Sequence, residues 1–196
     1  MNYLAHIYLS GNYDKHMLGN LLGDFVSKTE DGNFENSINE GIYMHRKLDS
    51  FTDSHPLFLK SKSRISSSNK RFAGLLIDMF YDHFLAKNWS KYSKSSLEAY
   101  TINFYKILEK YSSCLPDKLR TVMPAMINEN WLLSYKEAIG IEKALERISK
   151  RLSVPDNLLA ASISELNCNY GDLENDFSTF FPDAIEYATQ LLEGLR

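Results

Sequence analysis

The chain has little of what would staple or anchor it. It has two cysteines, Cys114 and Cys168, with no CxxC spacing and no second pair. Neither a zinc knuckle nor a disulfide framework is indicated, and a reducing compartment fits. No apolar run approaches the roughly 18 residues that a membrane helix requires. The opening Met1-Asn2-Tyr3-Leu4-Ala5-His6 lacks the basic region and long apolar stretch of a signal peptide, so a cytoplasmic protein with no membrane partner is expected. With 22 basic and 25 acidic residues the net charge is only −3, which gives nucleic acid no general electrostatic hold. Also absent are a Walker loop, a GxSxG elbow, an HExxH motif and the Glu-x-x-His pairs of ferritin-like bundles. Those mechanisms drop out, and metal-activated water is left as the expected attacking group.

Prolines and glycines are few as well, five and nine in 196 residues. Between them apolar residues recur at three and four positions almost throughout, which predicts an all-α chain folded as a single compact multi-helix domain. Helices are expected over 13–27, 35–53, 69–88 and 95–112, with shorter ones over 117–127, 129–138 and 141–152. A last helix is expected to start or restart at Pro182. A chain of this length buries roughly 70% of its unfolded surface, so any metal is there for chemistry rather than for folding.

Several ionisable groups lie on the apolar faces of these helices. With Ile38 at zero and 100° per residue, Ile42, His45 and Asp49 fall within about 40° of it, one turn apart on one stripe, and Asp53 lies close by. A carboxylate there is costly to desolvate unless something compensates it. In the next helix Phe72, Leu75, Leu76, Met79 and Phe80 define a stripe that leads to His83, with Asp78 and Asp82 along its edge. Asp24 flanks the face formed by Met17, Leu21 and Phe25, where Gly19 and Gly23 permit close approach of a neighbour. One such residue would be read as a satisfied core histidine or a helix cap. Together, His45, Asp49, Asp82 and His83, with Asp24 available, form the imidazole and carboxylate mix suited to Mn, Fe, Zn or Mg. His16 is expected to be exposed, and His55, before Pro56, is either a turn residue or a group supporting the metal ligands.

Charge is also sorted along the chain. Eight basic residues (Lys60, Lys62, Arg64, Lys70, Arg71, Lys87, Lys91 and Lys94) stand against Asp78 and Asp82, while residues 152–196 carry eight acids against Arg196 alone. Either these are two solvated faces of opposite sign or the basic one is a docking surface for an acidic partner.

Taken in order, Met1-Asn2-Tyr3-Leu4-Ala5-His6, Gly19-Asn20-Leu21-Leu22-Gly23-Asp24-Phe25, Gly41-Ile42-Tyr43-Met44-His45-Arg46-Lys47-Leu48-Asp49, Phe51-Thr52-Asp53-Ser54-His55-Pro56 and Asp82-His83-Phe84-Leu85-Ala86 with Trp89 resemble the acyl carrier protein phosphodiesterase family. That family is regarded as an unconventional branch of the HD phosphohydrolases. The likeness runs from residue 1 to about 90 and continues more weakly through Glu129-Asn130-Trp131-Leu132. It departs from the superfamily signature in having no His-Asp dipeptide; the adjacent pair here, Asp82-His83, is reversed.

The resemblance implies an HD-like helical fold. It also implies hydrolysis of the phosphodiester that joins 4′-phosphopantetheine to a serine of holo acyl carrier protein, using a divalent cation, with Mn²⁺ preferred and Mg²⁺, Fe²⁺ or Co²⁺ as substitutes. On this likeness His45, Asp49, Asp82 and His83 lie at or near the metal, and His6 and Asp24 join as further ligands. Arg46 faces a phosphoryl oxygen. Asp53, His55 and Asp78, with Asp24, are candidates for proton transfer or for supporting the ligands. Lys60 to Lys94 become a docking surface for the acidic carrier protein. Two other readings remain open: an HD-type hydrolase of a nucleotide or small phosphodiester, and a non-enzymatic helical module whose buried acids simply pair with His or Arg.

Overall fold

The computed structural model describes residues 1–27, 33–152 and 158–195. Among the described residues there are twelve α-helices and no strand: α1 Tyr3–Leu9, α2 Asp14–Leu22, α3 Asn36–Ser54, α4 Pro56–Arg64, α5 Ala73–Lys87, α6 Leu97–Lys110, α7 Asp117–Asn128, α8 Trp131–Ser134, α9 Ala138–Arg151, α10 Leu158–Ala161, α11 Ile163–Cys168 and α12 Tyr170–Gly194. No described helix is long and apolar enough to cross a membrane. Asp156 and Arg196, counted above in the charge pattern, lie outside the described residues.

Helix α5 is the axis of the molecule. From Leu76 to Ala86 nearly every side chain is buried, including Ile77, Phe80, Tyr81 and Phe84, as expected of a helix surrounded by others rather than lying on a surface. It contacts α1, α4, α9 and α12. The apolar side chains buried around it form one continuous cluster from Met1 to Ala188.

Two local features position the functional residues. Helices α2 and α3 cross at glycines: a Cβ on Gly19 would lie 2.1 Å from the Ile38 carbonyl oxygen, and one on Gly41 would lie 2.5 Å from that of His16. Backbone meets backbone there, which brings the side chains flanking the crossing to short range. Helix α3 ends at Ser54 because the residue before a proline is driven out of the helical region. His55 is accordingly extended, at φ −70° and ψ 131°, and Pro56 starts α4.

The long helices fall where the periodicity places them, but four details differ, the first being that the helix expected over 13–27 ends at Leu22. A 3₁₀ segment, Ser67–Phe72, precedes α5, so the regular helix starts four residues later than expected. The stretch expected as one helix over 129–138 is broken: Asn130 takes a left-handed conformation at φ 44° and its side chain caps α8, accepting from the Leu133 amide at 3.4 Å. Pro182 starts nothing; it lies inside α12, which runs unbroken through it. An internal proline costs about 3 kcal/mol, but Phe177, Phe180, Phe181, Ala184 and Ala188 are all buried on the same side of α12. Burying one large apolar side chain is worth roughly 1.5–3 kcal/mol, so the packing of that face outweighs the break.

Candidate metal centre

His6 on α1, Asn20 on α2 and both His45 and Asp49 on α3 converge beside the glycine crossing. The two imidazoles stack with ring centroids 4.0 Å apart. His45 fits only because residue 23 is glycine, since a Cβ there would lie 2.2 Å from His45 Cγ.

Hydrogen bonds fix the proton on each ring. His45 Nδ1 lies 2.8 Å from the Asn20 main-chain oxygen, which can only accept, so Nδ1 carries the hydrogen. Ser10 Oγ donates to the His6 carbonyl oxygen and is therefore the acceptor for Asn20 Nδ2 at 2.8 Å. That orients the amide and leaves Asn20 Oδ1 to accept from His6 Nδ1 at 2.8 Å. Both Nε2 atoms consequently face Asp49, His6 to Oδ1 at 3.0 Å and His45 to Oδ2 at 3.1 Å.

This donor set asks for positive charge at its centre. Burial, together with the neighbouring His45, pushes His6 down to about 4, so at neutral pH no proton lies between its Nε2 and the carboxylate. Burial would also lower His45, but the Asp49 hydrogen bond and the Asp24 charge outweigh it and raise it. For Asp49, burial is overcome chiefly by the hydrogen bond from His45, and its carboxyl is held well below the usual range. The ligand atoms of His6, His45 and Asp49 lie within 4.8 Å of one another, the one such group among the described residues. Once a cation takes the place of the proton that Asp49 favours on His45, two imidazole nitrogens and a carboxylate suit a borderline divalent ion such as Mn²⁺, Fe²⁺ or Zn²⁺. With both histidines buried and the Asp49 side chain 42% exposed, the set opens to solvent on one side, as three-ligand catalytic sites do.

The other residues singled out from the sequence have different situations. Asp82 is fully buried and accepts the Leu4 and Ala5 amides at 2.8 and 3.1 Å, capping the start of α1 rather than joining the cluster. Burial, offset in part by those two bonds, lifts it to about 7. Its neighbour Asp78 holds the Met1 ammonium at 2.6 Å, and burial raises its pKa. His83 joins three helices: Nδ1 donates to the Tyr135 carbonyl oxygen at 2.8 Å, and Nε2 accepts at 2.8 Å from the Tyr170 hydroxyl, itself held by Lys87. With both nitrogens hydrogen-bonded, His83 has the partners of a core histidine and lies outside the His6–His45–Asp49 cluster. Periodicity placed Asp82 and His83 inward correctly, but inward here means toward α1 and toward α8 and α12.

His55 is a corner residue. Its Nδ1 accepts the Leu57 amide and its Nε2 faces Asp183 on α12, each at 3.3 Å. His16 is half-buried rather than exposed, 3.0 Å from Glu40. Asp24 is exposed immediately after Gly23, and Asp53 is exposed one turn beyond Asp49. Arg46 is half-buried on α3, one turn before Asp49. In the basic segment, Lys60 and Arg64 each lie 3.0 Å from the buried Asp176, and Arg64 lies 2.8 Å from Asp172. The two charge-sorted stretches of sequence thus partly neutralise each other, so the basic one is not a free face as a whole.

Asn20, on which both rings depend, is absent from the sequence reading of ligands. Its signal was a polar residue inside the apolar run Met17-Leu18-Gly19-Asn20-Leu21-Leu22, fully buried in the fold.

A family model described as acyl carrier protein phosphodiesterase matches residues 1–184. The chain is 32% identical to the acyl carrier protein phosphodiesterase of Photorhabdus laumondii, covering 96% of this chain and 95% of that one. It is 31% identical to that of Serratia proteamaculans (96% and 97% covered) and 31% identical to that of Escherichia coli O45:K1 (97% and 98%). No solved structure matches the chain.

Proposed function

Because this chain belongs to the acyl carrier protein phosphodiesterase family, we propose a metal-assisted route at His6, His45 and Asp49 for its reaction. That reaction is hydrolysis of the phosphodiester linking 4′-phosphopantetheine to a serine of holo acyl carrier protein, which leaves the apo protein and free 4′-phosphopantetheine. The observation that carries the metal reading is the facing of both Nε2 atoms onto one carboxylate. Mn²⁺ is the preferred ion, with Mg²⁺, Fe²⁺ or Co²⁺ as substitutes. A divalent cation supplies charge against the phosphodiester anion and makes bound water more acidic.

The rest of the work falls to side chains. Asn20 fixes the tautomers and orientations of both histidines, so the ligand set is preorganised. Asp24, which follows Gly23 and acts electrostatically on His45, is the carboxylate placed to carry a proton between the site and solvent. Asp53 is a second, more distant proton carrier, and Asp78 is tied up by the Met1 ammonium. Arg46, next to Asp49 around α3, presents a guanidinium suited to a phosphoryl oxygen.

The carrier protein is the partner. In the basic segment the docking role falls to Lys62, Lys70 and Arg71, because Lys60 and Arg64 are occupied by α12. Support for the whole reading would come from intact-mass spectra showing holo carrier protein converted to apo by purified protein plus Mn²⁺. A well-folded protein that leaves holo untouched with every divalent metal tried would end it. Reversing Lys62 and Lys70 to Glu should raise KM for carrier protein, and an unchanged KM would remove the docking assignment.

A further inference from the structure

Beside the cluster a cavity of about 770 Å³ opens between α1, the turn after α2, and helices α7, α8 and α9. That is within the roughly 300–1,000 Å³ typical of small-molecule sites. One end lies near the cluster: Tyr3 is one turn before His6 on α1, about 5 Å along the helix, and Asp24 and Phe25 follow the glycine that abuts His45. Its far wall carries Trp131 and Arg147.

Arg147 is held but not satisfied. Its guanidinium lies over the Trp131 ring at 4.0 Å, and its Nη1 lies 3.4 Å from Glu129 Oε2, to which Trp131 Nε1 also donates at 2.9 Å. Its Nη2 is buried with no hydrogen-bond partner among the described residues. Buried donors are rarely left so unless a ligand or water completes them. The remaining lining offers apolar surface from Phe25, Val122 and Ile148 and two further cations, Lys118 and Arg151, with Asp24 as its one acid. What suits such a space is an extended chain that offers methylenes to the apolar walls and carbonyl oxygens to the cationic side chains.

We propose that this cavity holds the pantetheine arm of the substrate, leading away from a phosphodiester at the His6–His45–Asp49 cluster, with the Arg147 guanidinium donating to an arm carbonyl beside Trp131. The proposal rests on the carrier-protein reading above. Arg147 is a positioning residue in this scheme, since it acts on the arm and not on the reacting phosphorus.

The test uses pantetheine, the arm without its phosphate, titrated into the full-length protein while tryptophan emission is followed. Wild type should give a saturable change that Trp131→Phe abolishes and whose midpoint Arg147→Met raises tenfold or more. In parallel, Arg147→Met, and Thr121→Trp, which narrows the mouth from an exposed lining position, should lower kcat/KM for holo carrier protein tenfold or more relative to bis(p-nitrophenyl) phosphate. A wild type that converts holo to apo yet shows no saturable pantetheine response overturns the cavity assignment. So does an Arg147→Met protein with an unshifted midpoint. Pantetheine binding without any conversion of holo carrier protein would instead sink the reaction and leave the arm site standing.

Discussion

Replacing Asn20 with alanine tests the logic of the site without touching any ligand. The substitution deletes the Oδ1 that accepts from His6 Nδ1 and the Nδ2 that donates to Ser10, both bonds 2.8 Å long in a fully buried setting. The main-chain oxygen that holds His45 remains. His6 Nδ1–H is then stranded in the core, at a cost of about 1–3 kcal/mol. At roughly 2–4 °C per kcal/mol for a chain of this size, the melting temperature should fall by about 2–12 °C. Freed from its acceptor, His6 can take the other tautomer, which removes the lone pair facing Asp49. Loss of such an orienting partner typically weakens metal binding by about 10–100-fold. The assay is thermal denaturation against Mn²⁺ concentration, because an ion that binds only the folded state raises its melting point. Asn20→Ala should melt lower and need at least tenfold more Mn²⁺ for the same upward shift. If it melts lower but responds to Mn²⁺ at the wild-type concentration, Asn20 is merely a core residue and the tautomer argument is wrong.

Other substitutions separate the site from its scaffold. Gly23→Ala places a methyl against the His45 ring, and overpacking of this kind costs about 1–3 kcal/mol; the Mn²⁺-induced shift should disappear even where circular dichroism shows helix retained. His83→Gln, in contrast, should lower the melting temperature through the contacts to Tyr135 and Tyr170 and leave the Mn²⁺ response as in wild type; loss of that response would restore His83 as a ligand. Asp82 carries a pH signature. Its folded-state pKa, about 7, lies above the unfolded 3.8, so the stability it contributes is complete below about pH 4 and is lost as pH rises through 7. Denaturant titrations should find Asp82→Ser more destabilised relative to wild type at pH 5 than at pH 8, by about 2–3 kcal/mol; an equal difference at the two pH values would refute this.

How much of this could be read from the sequence depended on where each residue's neighbours lie. His45 and Asp49 share one helix, so the 3.6-residue period alone placed them together. The long helices followed from the same period. His6 lies on a seven-residue helix, too short for periodicity to orient, and only the likeness to a family brought it to the site. Asp82 and His83 show the limit of an inward-facing argument. A helix at the centre of the molecule has an interior on every side, so inward does not specify which neighbour. The opposed charge stretches were legible as a contrast, but their pairing through Lys60, Arg64 and Asp176 depends on α4 lying against α12, a contact between segments over a hundred residues apart. Asn20 was missed because its role is divided between side chain and main chain, and a main-chain acceptor leaves no trace in residue identity.

In the proposed mechanism His6, His45 and Asp49 hold the ion on which hydrolysis depends. Equilibrium binding of Mn²⁺ by wild type and by Asp49→Asn, followed by the loss of the free-ion signal in electron paramagnetic resonance, addresses it most directly. Wild type should bind saturably and the folded variant, whose side chain keeps its volume but loses its charge, at least a hundredfold more weakly. Equal affinities in the two proteins would contradict it.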